Sequence, residues 1–89
     1  MKTVTIELDK PRSWAYNMGT LRIFEETTGK SMMDIDWDKP YITDMLSLIY
    51  AGLKKADKEI TMDFVEDNLD INQLESIFAA IEKVISAKK

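Results

Sequence analysis

Two residue types are missing altogether: the 89-residue chain has no cysteine and no histidine. Their absence removes disulfides, thiolate nucleophiles, the usual zinc ligands and the side chain most often used as a general base. A reducing compartment is therefore permitted. Positive charge is also scarce, since 12 Lys and Arg against 16 Asp and Glu leave a formal charge of −4. Phosphate neutralisation needs a basic patch, and no Lys/Arg run supplies one, so nucleic acid is not an expected partner. No apolar run approaches the roughly 20 residues that a membrane helix needs. The opening MKTVTIELDK has no apolar h-region, so a signal peptide is not expected and the expected location is the cytoplasm.

What is present suits one small folded domain spanning residues 1–89. Apolar residues make up 45% and charged residues 31%, which is a globular balance and not that of a disordered tail. A domain of this length buries only about 60–65% of its unfolded surface, so association with a partner is a common source of extra stability.

Residues 3–8, TVTIEL, alternate strictly, with Val4, Ile6 and Leu8 on one face. This period of two predicts a half-buried strand. Asp9-Lys10-Pro11 can turn the chain, and Trp14, Tyr16 and Met18 alternate in a second strand that pairs back on the first. Leu21, Ile23 and Phe24 then define a helix that Asn17 or Thr20 can cap and Gly29 can end. Ser31 to Ile35 can form one further turn. Pro40 suits the first turn of the next helix, with Asp38 accepting from its free amides. The apolar set of that helix, Ile42, Met45, Leu46, Leu48, Ile49 and Leu53, is broad and predicts burial on more than one side. Gly52 lies inside it at a cost of about 1 kcal/mol relative to alanine, which close helix packing would explain. Thr61 can cap a short helix, and Asp70 with Gln73 has capping-box spacing for a last one. The fold class is therefore α+β, an N-terminal β-hairpin packed on four to five helices.

Two stretches imitate ligand sites. Gly29-Lys30-Ser31 is the tail of a phosphate-binding P-loop, but the glycine required five residues earlier is Phe24. The segment before it also reads as a helix, where a P-loop has a strand. Asp34, Asp36 and Asp38 stand at the spacing of an EF-hand head. Its obligatory glycine and bidentate glutamate are here Lys39 and Met45, so half the coordination sphere is missing. No cofactor or metal is expected. Glu25 and Glu26 are adjacent and point about 100° apart on a helix, so they are not a converging acid/base pair. An enzyme is not expected.

The order of elements, with Glu25 to Ser31, Ala51-Gly52-Leu53 and Ile60 to Val65, resembles the tail assembly chaperones of long-tailed bacteriophages and prophages. The resemblance runs from about residue 3 to residue 87; the linker DIDWDKP, residues 34–40, departs from it. It implies a mostly helical protein that binds the tape measure protein and keeps it soluble while major tail protein subunits polymerise around it. It also implies self-association, residence in the host cytoplasm and absence from the mature virion. Members often have a longer frameshifted form, for which Lys88-Lys89 could be encoded by a slippery A-rich stretch. The rival reading is a small acidic regulatory binding protein, antitoxin-like or repressor-blocking.

A chaperone for an apolar helical chain must keep apolar area free of its own core. The last helix carries a wide stripe, in which Ile77-Phe78 and Val84-Ile85 are adjacent pairs that splay to two sides. Phe78, Ile81 and Ile85 are accordingly candidates for partner contact. Met32, Met33, Trp37 and Tyr41 around the acidic linker form the second candidate surface, because methionine-rich surfaces adapt to varied helices. The broken EF-hand pattern makes a direct prediction. Millimolar calcium should leave the melting temperature unchanged, as read by thermal unfolding with and without the ion. A large rise would establish Asp34, Asp36 and Asp38 as a site.

Overall fold

The computed structural model describes residues 2–86, with the side chains of Lys2 and Ser86 excepted; Lys88 and Lys89 lie outside the described residues. The chain runs β1 (Lys2–Glu7), β2 (Pro11–Tyr16), α1 (Met18–Thr28), a 3-10 turn at Met32–Asp34, α2 (Ile42–Ala56) and α3 (Met62–Asn68). A second 3-10 turn at Ile71–Gln73 leads into α4 (Leu74–Ser86). This is the α+β architecture expected, a hairpin with four α-helices.

β1 and β2 pair antiparallel, with Val4 opposite Trp14 and Ile6 opposite Arg12. The period of two therefore puts Val4, Ile6, Trp14 and Tyr16 on one face, together with the stem of Arg12. That arginine is held on three sides. Its guanidinium donates to both carboxylate oxygens of Asp9 at 3.0 and 2.9 Å and to Asp57 at 3.3 Å. It also lies 5.0 Å from the centre of the Phe64 ring. The hydrogen bonds from Arg12 hold the Asp9 carboxyl below the ordinary carboxylate range. One side chain thus ties the hairpin turn to the end of α2 and to α3.

α2 is the hub. Met45, Leu48, Ile49, Ala51, Gly52 and Leu53 are all buried, and the helix packs against α1, β2, α3 and α4. The indole of Trp14 is fully buried against it and donates Nε1–H to the Leu48 carbonyl at 3.0 Å. Gly52 is the seat of that ring: a Cβ added there would fall inside the indole, on Nε1, Cδ1 and Cε2. The close neighbour of Gly52 is thus an aromatic ring from a strand, not a second helix.

Several local signals act as expected. Asn17 and Thr20 form a reciprocal capping box at the start of α1, and Gly29 ends it in the left-handed conformation at φ 77°. Thr61 accepts from the Phe64 amide to open α3. Others are corrected. β2 stops at Tyr16 because Asn17 captures the amides of Gly19 and Thr20, so Met18 begins a helix and is 78% exposed. The start of α2 is Ile42, capped by Tyr41 with no side-chain bond, so neither Pro40 nor Asp38 plays its expected part. The reason is Asp36, whose carboxylate accepts from the amides of Asp38 and Lys39 and turns the chain before the proline. Asp70 does cap the last helical segment, through the Asn72 amide, but that segment opens as a 3-10 turn over Ile71–Gln73 before α4 begins.

The packing of Trp14 on Gly52 yields a prediction. Gly52→Ala gains about 1 kcal/mol of helix propensity but forces a rigid ring out of its seat. The overlap should win, lowering stability by about 2 kcal/mol net and Tm by about 10 °C. Thermal unfolding followed by circular dichroism measures this, and a stabilised variant would contradict it.

Candidate functional site

The polypeptide between the first 3-10 turn and α2 folds back over α4. Trp37 is half-buried and stacks on Phe78, with ring centroids 4.9 Å apart and planes 23° from parallel. Along α4, Glu75, Phe78, Ala79 and Glu82 follow the i, i+3, i+4, i+7 spacing and so share one face. Trp37 to Pro40 form the opposite wall, Met45 of α2 closes the base, and the hollow encloses about 490 Å³. A second hollow of about 420 Å³ adjoins it through Met45 and Glu75, lined also by Ile42, Ile71 and Leu74. The two form one groove at the N-terminal end of α2.

Two apolar residues of this groove are left in solvent. Ile71 is 85% and Ile42 63% exposed, and Tyr41, next to Ile42 in the chain, is 73% exposed. The rim is acidic. Asp38, Glu75 and Glu82 line the first hollow, with Lys39 as its only cation among the described residues, and Asp34 and Asp36 are exposed nearby in the same linker. Lys54, Lys55 and Lys58 lie at and beyond the other end of α2, about 18 Å away along the axis for Lys54. The free apolar surface thus lies beside an acidic linker and two glutamates of α4.

The residues proposed from sequence divide between core and surface. Ile81 is fully buried and Phe78 only 6% exposed, while Ile85 is half-buried against the core. The width of the α4 stripe has a physical cause. Ile77 faces β1, where it shares a hollow with Val4 and Ile6, while Phe78 faces Trp37. Splayed neighbours serve two packed surfaces, so the stripe is not surplus. In the linker region Met32 packs on the core and Met33 is exposed. Trp37 is the one residue that both groups meet around. Glu75 and Glu82 do not stand out in the sequence, whereas Ile42, expected on a buried face of α2, and Ile71, which opens the apolar stripe of the last helix, are exposed instead. The available signal was Ile71, an apolar residue isolated among Asp70, Asn72 and Gln73. A continuous helix would have turned it toward the core with the stripe, whereas the 3-10 turn leaves it outside.

The imitation motifs have other employment. Lys30 of Gly-Lys-Ser donates to the Asp44 carboxylate at 2.8 Å and lies 5.8 Å from the Tyr41 ring centre. Asp44 is buried in the first turn of α2, where the helix dipole also favours its charge. Asp36 is engaged in its turn, and among the described residues no group of three or more acidic side chains is placed to hold a metal ion. Glu75 and Glu82 stand two turns apart, about 10 Å along the axis, so they bracket a surface and do not converge on one atom.

Lys30→Met leaves the Asp44 carboxylate buried and unpaired. Because Lys30 is itself about one-third exposed, the expected loss is about 1–2 kcal/mol, below that of a fully buried pair. The double variant Lys30→Met/Asp44→Asn should lose less than the sum of the two single changes. Urea denaturation of the four proteins gives the coupling, and strict additivity would remove the pair's structural role.

Compared with family models, curated proteins and solved structures, the chain matches none.

Proposed function

We propose that this protein is a non-enzymatic tail assembly chaperone that binds the tape measure protein and holds it soluble while major tail protein subunits assemble around it. The observation that carries the reading is the groove beside Trp37. It combines the stacked Trp37 and Phe78 rings with exposed Ile42 and Ile71. We read this free apolar area as a binding surface. The three segments that resemble the chaperone family support the scaffold side of the reading, because each has a structural task here. Gly29 ends α1 and Lys30 reaches Asp44; Gly52 seats Trp14; Thr61 opens α3. Among the described residues no helix is long and apolar enough to cross a membrane, which suits a protein working in the bacterial cytoplasm. Self-association belongs to the same reading.

The test is co-expression with a fragment of the tape measure protein encoded beside it. Soluble fragment should rise several-fold with the protein present. Ile42→Asp/Ile71→Asp should abolish that rise while circular dichroism shows the fold unchanged, since both side chains stand in solvent. A fragment that stays insoluble beside the folded parent protein would overturn the proposal.

A further inference from the structure

The charge pattern of the groove says more about its occupant than that it is apolar. We infer that the groove takes an amphipathic helix whose basic residues, two turns apart, bracket its apolar stripe. The inference rests on the binding reading above and deepens it. Three observations carry it. Glu75 and Glu82 are both exposed and share one face of α4 with Phe78 and Ala79 between them. Ala79 offers only a methyl group, so an occupant can lie close along α4 between the two carboxylates. The facing linker adds Asp38, and among the described residues Lys39 is the only cation lining that hollow.

A helix lying along α4 meets the carboxylates about 10 Å apart. Lysine or arginine at its positions i and i+7 matches that spacing, and apolar residues at i+3 and i+4 then face Ala79 and the half-buried Trp37 ring that covers Phe78. Ile42, Met45, Ile71 and Leu74 extend the apolar floor beyond Glu75, so the stripe should continue past one of the two charges. An acidic helix would meet the same two carboxylates as like charges, which opposes docking.

The experiment uses the intact chain and synthetic helical peptides of about 18 residues, five turns, with one shared apolar face. One carries Lys at i and i+7 beside that face, a second carries Glu there, and a third carries the same lysines on the opposite side. Affinity is measured by calorimetric titration, with tryptophan emission reporting on Trp37. At low salt the first peptide should bind roughly five-fold or more tighter than either of the others. The gap should shrink as salt screens the pairs. Glu75→Lys/Glu82→Lys, checked for fold by circular dichroism, should reverse the preference toward the Glu peptide. Equal affinity for the three peptides, or no binding by any, overturns the inference. So does a stable dimer that Ile71→Asp dissociates, because the groove would then be filled by a second copy of the chain. The two proposals fail separately. A tape measure fragment solubilised without any peptide preference removes only the charge rule, and a clear preference without solubilisation removes only the chaperone role.

Discussion

Everything in this domain is arranged around one indole. Trp14 comes from a two-stranded hairpin that could not stand alone in water, and it is inserted where α2 has no side chain, at Gly52. Its ring is wholly buried and its single polar atom is satisfied by the Leu48 carbonyl, so nothing opposes the burial. The contact sets how closely the sheet approaches the helix. With that distance fixed, Ile6 reaches the core beside Leu48, Leu53 and Ile81. A glycine that weakens the helix locally therefore strengthens the domain.

The second consequence of a central α2 is that its two ends face different surroundings. At the N-terminal end Asp44 receives Lys30, which anchors the chain after α1 and leaves the linker to cross toward α4. Trp37 then lands on Phe78, and the two rings form a wall that is partly core and partly groove. The opposite end carries Lys54, Lys55 and Arg12 with Asp57. On the proposed reading, the acidic rim of the groove selects partners of complementary charge.

Much of the local structure was legible in the residues. Alternation marked β1, the broad stripe marked a helix buried on several sides from Met45 to Leu53, with Ile42 exposed, and Asn17, Gly29 and Thr61 marked helix ends through their own side-chain or backbone chemistry. The errors occurred where two short-range bonds competed. Asp36 bonds the amides of Asp38 and Lys39 and turns the chain before Pro40, which leaves Asp38 no part in opening α2. Met18 was misplaced because alternation continues through Asn17, while the cap that ends the strand depends on where the chain must go next.

Sequence alone thus determined the class of fold, the central helix, the absence of histidine and cysteine chemistry, and the incompleteness of both ligand motifs, because each follows from residue type and spacing. Tertiary structure decided which apolar residues are spent and which are free. Phe78 and Ile81 lie on the strongest stripe and are used in the core, whereas Ile71 and Ile42, with weaker patterns, are exposed. Periodicity tells which residues share a face, but not how many surfaces that face will meet. Only the return of Trp37 onto α4 and of β1 onto Ile77 covered the one and left the other open.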